Sequence, residues 1–102
     1  MIKRFLILQK TKNMKCLKIK ISGKVQGVWF RASTQRKARE LGIKGIVKNL
    51  SSGEVYVEAE GSEEKLETFI KWCHQGSELS RVDQIEISEI ENQNFEDFKI
   101  VR

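Results

Sequence analysis

Between positions 16 and 22 the chain alternates Leu17, Ile19 and Ile21 with Lys18 and Lys20, a period of two that predicts a strand with one buried face. Phe30, Thr34, Ala38 and Leu41 then recur at spacings of four, four and three, with Gly42 where a left-handed cap closes a helix, which predicts a helix over 31–41. Residues 43–50 and 54–60 are β-rich runs joined by Ser51, Ser52 and Gly53, a short hairpin connection. In the second run Val55, Val57 and Ala59 take one side, and Glu54, Tyr56, Glu58 and Glu60 the other. Gly61-Ser62 offers an N-cap, Glu63 and Glu64 suit the positive end of a helix dipole, and Leu66, Phe69, Ile70 and Cys73 form the apolar stripe of a second helix ending near Gly76. Residues 82–90 predict a fourth strand on the alternation of Ile85 and Ile87, while Val82 and Ile90 fall out of phase and signal a bulge or fraying. A short closing strand is expected within 95–101.

The order β-α-β-β-α-β, in two halves of similar length, predicts an α+β fold: an antiparallel sheet covered on one face by two helices, a ferredoxin-like sandwich. A chain of 102 residues with 39% apolar content has room for one core, so a second domain is excluded. Residues 1–14 read as an N-terminal extension ahead of a domain over 15–102. A disordered basic arm, an added edge strand, and sequence upstream of a start at Met14 all stay open for it. Its apolar stretch is only four residues, Phe5 to Leu8, with no cleavage site after it, so no signal peptide or membrane span is expected. Cys16 and Cys73 have neither the density of a disulfide framework nor the spacing of a zinc site, which points to a reducing, cytoplasmic setting.

Charge adds a separate signal. Residues 1–39 hold twelve Lys and Arg and no acid, whereas residues 40–102 hold seven bases and fourteen acids. The halves carry +12 and −7, which suggests an anionic partner for the first. Its ordinary alternative is a solvated strand face and loop at Lys18, Lys20 and Lys24.

Candidate chemistry concentrates in residues 23–31, where Gly23 and Gly27 allow a loop whose N–H groups converge on one anion, next to a helix start and Arg31. A guanidinium in the first turn of a helix is electrostatically misplaced unless an anion sits between them. Most such glycine pairs merely turn the chain, and on pattern alone both readings stand. Asn49 is a second candidate, either a turn residue that begins the hairpin or an amide that holds a water while touching a phosphoryl group.

Taken together, Gly23-Lys24-Val25-Gln26-Gly27-Val28-Trp29-Phe30-Arg31, then Ala38, Leu41-Gly42, Gly45, Val47 and Asn49, resemble the acylphosphatase signature in order and spacing. The resemblance continues through Gly53, Gly61 and Phe69-Ile70-Lys71-Trp72 to Ser80-Arg81-Val82-Asp83 and Phe98-Lys99-Ile100, and so covers about residues 15–102. It implies the sandwich reached from periodicity, and hydrolysis of the carboxyl–phosphate bond of small acyl phosphates to a carboxylate and inorganic phosphate. By the same resemblance Arg31 binds the substrate phosphate, Asn49 orients the attacking water, and Val25, Gln26, Gly27, Val28, Trp29 and Phe30 form the cradle whose amides hold the phosphate oxygens. No metal, organic cofactor or membrane is implied, and a monomer is expected. No side-chain base is required, since a substrate phosphate oxygen can accept the proton, and the lone histidine, His74, reads as surface. Trp29 is bulky at a variable position, Gly76-Ser77-Glu78 lacks a proline common there, and the extension is additional.

Two other readings belong to different classes. The same sandwich hosts RNA-binding modules, but Leu17, Ile19, Ile21, Val55 and Val57 are aliphatic where bases would stack, leaving Tyr56 as the only aromatic, so nucleic acid is not the expected partner. A relative that binds phosphoryl groups or proteins without turnover is the third.

Overall fold

A computed structural model describes residues 14–102, and the readings made of residues 1–13 lie outside the described residues. The elements follow as β1 (Met14–Lys24), α1 (Phe30–Glu40), β2 (Lys44–Asn49), β3 (Val55–Ser62), α2 (Glu63–Gln75), β4 (Arg81–Ile90) and β5 (Phe98–Ile100). Met14, assigned above to the extension, pairs with Ser62 and belongs to β1. Helix α1 begins one residue earlier than expected, at Phe30. In α2 the N-cap works as anticipated: Ser62 Oγ accepts from the Lys65 N–H, Glu63 and Glu64 occupy the first turn, and Gly76 ends the helix.

The strands lie in the order β4-β1-β3-β2-β5. β1 runs antiparallel to β3 and β4, and β2 antiparallel to β3, but β5 runs parallel to β2. The sheet is therefore mixed, not antiparallel throughout. The reason is the route of the chain: β4 ends at one corner of the sheet and β5 forms the opposite edge. The connection over 91–97 crosses the ends of the strands between them, so β5 starts level with β2 and shares its direction.

One face of the sheet and the two helices enclose the core. Ile19, Ile21, Val47, Val55, Val57 and Ala59 from the strands meet Phe30, Ala38, Leu66, Phe69 and Cys73 from the helices, with Phe98 at the β5 edge. Aromatic rings run through it in sequence, Phe98 to Phe69 at 6.2 Å, Phe69 to Trp72 at 6.4 Å and Trp72 to Phe30 at 5.7 Å. β5 is pinned to α1 by Gln35 Nε2 donating to the Phe98 carbonyl (3.0 Å) and by Arg39 Nη2 donating to Asp97 Oδ2 (2.9 Å). The Phe98 N–H and Arg39 together hold the Asp97 carboxyl below its ordinary range.

The out-of-phase residues of β4 have two separate causes. The β1–β4 register shifts between Ser22 and Gly23, so Asp83 is the extra residue of a bulge and Val82 slips out of the alternation. Gly23 is needed here for close approach: at φ 130° any Cβ would collide with the Arg81 carbonyl oxygen. This corrects the reading of Gly23 as part of an anion-binding loop, since it lies inside β1. Ile90 instead pairs with Cys16 on the face turned away from the helices, where the 91–95 connection covers it.

That connection also covers Glu60, on the side of β3 opposite Val55, Val57 and Ala59. Glu60 is only 7% exposed, because its carboxylate accepts from three successive N–H groups, Gln93 at 2.6 Å, Asn94 at 3.2 Å and Phe95 at 2.9 Å. Beside it Cys16 is completely buried. The charge asymmetry resolves in the same region of the fold. Basic β1 lies between β3 and β4, opposing Lys18 to Glu58 and Lys20 to Glu86, and Lys15 reaches Glu63 at 3.7 Å. Among the described residues, the bases of β1 are thus interleaved with acids from the negative half.

Two expectations follow from this packing. Glu60→Ala removes the acceptor for three partly buried N–H groups and should cost about 1–3 kcal/mol in urea unfolding, with faster amide exchange at residues 93–95. Unchanged stability and exchange would contradict the carboxylate's role. Burial raises the Cys16 thiol to about 11, aided by Glu60 and Glu58, and the Cys73 thiol to about 12. Their pKa values are raised on folding, so the stability they contribute is complete below the unfolded-chain value of about 8.5 and is lost as pH rises toward 11–12. Both thiols should resist a disulfide reagent at pH 8 in the native protein and react at once in urea.

Candidate functional site

The loop over 25–29 joins β1 to α1, and its side chains divide sharply. Val25, Val28 and Phe30 are sunk into the core, whereas Gly27 and Trp29 are exposed. Two left-handed residues shape the intervening backbone, Gly27 at φ 74° and Trp29 at φ 61°. An added Cβ at Gly27 would meet nothing within 4 Å, so glycine is required there for its backbone angle and not for space. Residues of alternating φ sign in such a turn can direct successive N–H groups toward one side, an arrangement suited to an anion.

The N–H groups of residues 26–32 donate to no protein acceptor among the described residues. Helix α1 begins directly after them, with no side-chain cap and no acid in its first turn. The positive end of its dipole therefore faces the loop uncompensated. Ser77 Oγ donates to the Val28 carbonyl at 3.0 Å, and the trans peptide consequently points the Trp29 N–H the opposite way, away from the α2–β4 connection.

Gln26 performs a different task from its neighbours. Its Nε2 donates to the carbonyls of Leu50 (2.8 Å) and Glu54 (2.9 Å), the two residues that close the β2–β3 hairpin. Ser22 Oγ reinforces the link by donating to Glu54 Oε2 at 3.2 Å. The loop and the last residue of β2 are thereby held as one unit. That last residue is Asn49, which pairs with Val55 within the ladder, so the reading of it as a turn residue is overturned and the turn begins beyond it.

Asn49 shares the helix-facing side of β2 with Val47, and its side chain reaches the same pocket as the loop. This pocket, about 440 Å³, is lined by Val25, Gly27, Trp29, Phe30, Arg31, Ala32, Asn49 and Ile100. Arg31 is half-buried and makes no ion pair among the described residues. Asn49 Oδ1 is buried and, among the described residues, is the side-chain atom in that position left with no partner. An unsatisfied buried acceptor and an uncompensated guanidinium beside free amides are each unfavourable in isolation, and a bound anion with an associated water satisfies all of them. Among the described residues no three His, Cys, Asp or Glu side chains gather as metal ligands.

Of the residues singled out above, Arg31, Asn49, Val25, Gly27, Trp29 and Phe30 converge on the pocket, while the side chains of Gln26 and Val28 support it from behind. His74 lies exposed on α2 and takes no part in the pocket. Ile100 and Ala32 line the site unforeseen. Ala32 follows from the start of α1, but nothing in the local pattern near Ile100 announces that β5 docks beside β2.

Comparison with known proteins follows the same outline. The Acylphosphatase family model matches residues 17–100. An acylphosphatase of Marinobacter nauticus is 49% identical over 80 residues, 78% of this chain and 87% of that protein. Among solved structures, an acylphosphatase from Coxiella burnetii superposes with a TM-score of 0.87 at 39% identity, covering 91% of this chain and 98% of its own. Acylphosphatase from Bacillus subtilis does so with a TM-score of 0.84 at 34% identity, covering 87% and 99%. This likeness extends to the two-helix, five-stranded arrangement as a whole.

Proposed function

This chain belongs to the acylphosphatase family, and from that premise we propose that it hydrolyses small acyl phosphates with Arg31 and Asn49 as its catalytic residues. The observation that carries the reading is the convergence, in one pocket, of a guanidinium, a buried amide oxygen and a loop's N–H groups that find no partner among the described residues.

The chemistry asks little beyond placement and charge. In an acyl phosphate the leaving group is a carboxylate, stable enough to depart without protonation. The N–H groups of the loop and of the first turn of α1 hold the phosphoryl oxygens, and Arg31 donates two parallel N–H bonds that fix its orientation. Asn49 Oδ1 accepts a hydrogen bond from a water and aims its oxygen at phosphorus, opposite the bond to the acyl oxygen. The P–O(acyl) bond breaks as the new P–O bond forms, the electron pair leaves with the carboxylate, and the water's proton passes to a phosphate oxygen. Inorganic phosphate and a carboxylate result. The equatorial oxygens carry the growing charge, which is where preorganised donors count for most.

We further read the protein as a monomer acting in the cytoplasm, supported by its two free, buried cysteines, and as having no membrane or nucleic-acid partner. For nucleic acid, the residues named above as the stacking surface, Ile19, Ile21, Val55 and Val57, turn out to face the helices, and Leu17 shares their face. The opposite face offers Lys18, Lys20, Tyr56 and Glu58. Tyr56 there is already engaged, donating to Glu58 Oε2 at 2.6 Å with Lys48 Nζ 5.3 Å from its ring centre.

Arg31→Ala and Asn49→Ala should each keep the native circular dichroism spectrum and lose about 10²-fold or more in kcat on a simple acyl phosphate, the scale of one preorganised transition-state contact. Loss of Arg31 should raise KM as well. A folded variant turning over at the wild-type rate would remove that residue from the mechanism. Inorganic phosphate at about 100 times its Kd should stabilise the protein by about 2.7 kcal/mol, and Arg31→Ala should abolish the effect at the same concentration. Equal stabilisation of both proteins would place the anion elsewhere.

A further inference from the structure

On the acyl phosphate reading above, we infer that the indole of Trp29 and the side chain of Ile100 form a seat for the substrate's acyl group and select aromatic or bulky acyl phosphates over acetyl phosphate. Trp29 is 76% exposed and Ile100 40% exposed. Of the large apolar side chains exposed among the described residues, Met14, Leu79 and Ile87 lie elsewhere, while these two line the pocket that holds Arg31 and Asn49.

Trp29 occupies the N-cap of α1, where Ser, Thr, Asp or Asn would satisfy a helix N–H, and it caps nothing. It also sits in a left-handed conformation that disfavours a bulky side chain. Neither cost is offset by packing, since the indole is largely in solvent and pairs with no aromatic ring among the described residues. An unstacked indole lining the pocket suits a flat carbon group arriving there.

The pocket's composition agrees. Its polar groups come from the loop, Arg31 and Asn49, but Val25, Phe30 and Ala32 add carbon surface, and the volume of about 440 Å³ leaves ample room beyond a phosphoryl group. Ile100 arrives from β5, in register beside Val47, and lines the same pocket as the loop. With its phosphoryl group on the loop, a substrate has this carbon surface available to its acyl group.

The test uses the full chain with benzoyl phosphate and acetyl phosphate, comparing the ratio of their kcat/KM values. Trp29→Gly suits the left-handed backbone and removes the indole, and it should lower the benzoyl-to-acetyl ratio about tenfold, equivalent to about 1.4 kcal/mol, chiefly through KM for benzoyl phosphate. Trp29→Phe should keep the ratio within about threefold of wild type, and Ile100→Ser, at an exposed position, should lower it severalfold. An unchanged ratio in Trp29→Gly and Ile100→Ser, or a wild type with no preference between the substrates, would overturn the seat while leaving the hydrolase reading intact. Should Trp29→Gly fail to fold, the ratio in Ile100→Ser decides alone. A wild type inactive on both substrates would overturn the acyl phosphate reading and this inference with it.

Discussion

The functional end of this molecule depends on one constraint: a run of backbone N–H groups must stay unpaired and pointed at a common place without collapsing onto the protein's own acceptors. Free amides at a surface would normally turn to carbonyls nearby. Here the loop cannot rearrange, because Val25, Val28 and Phe30 anchor its side chains in the core and Gln26 fastens it to the β2–β3 hairpin. Any movement that closed the amides would pull buried apolar groups into water, at a cost of about 1.5–3 kcal/mol for each large side chain. Cohesion behind the loop thus sustains its unsatisfied front.

The same connections set the distance between the two side chains proposed to act on the substrate. Arg31 belongs to α1 and Asn49 to β2, elements whose relative position rests on the core and on the Gln26 bridge. Sites built on helices and strands hold their geometry better than sites on free loops. β5 then completes the arrangement from the far edge of the sheet. Phe98 is buried against Phe69, the Val101 N–H donates to the Val47 carbonyl, and Ile100 is left at the pocket rim. Glu60 stands at the other end of that connection, ordering 93–95 so that β5 arrives where it does.

Much of this was legible locally. The strand alternation of β1 and β3, the stripes of α1 and α2, the Ser62 cap and the left-handed Gly42 are decided by neighbours within one or two turns of chain, and each appeared as read. Arg31 stood out as a guanidinium at a helix start, a conflict with its local setting of the kind that points to a candidate site, whereas the local pattern left Asn49 open between a turn residue and a phosphoryl contact, and the family resemblance supplied the expected roles of both. What periodicity did not foretell was equally specific: Gly23 serves a strand contact, Glu60 is buried under a distant segment, and basic β1 is paired with β3 and β4, which carry acids.

By itself, then, the order of residues determined which segments are strands and helices, which faces are apolar, and which polar residues are out of place, because these follow from periodicity and backbone preference over short distances. Tertiary structure alone decided the parallel docking of β5, the burial of Glu60 and Cys16, the bracing role of Gln26 and the arrival of Ile100 in the pocket that Trp29 lines. Each of these depends on groups more than twenty positions apart meeting at one point, and no local periodicity encodes where a crossing segment comes to rest.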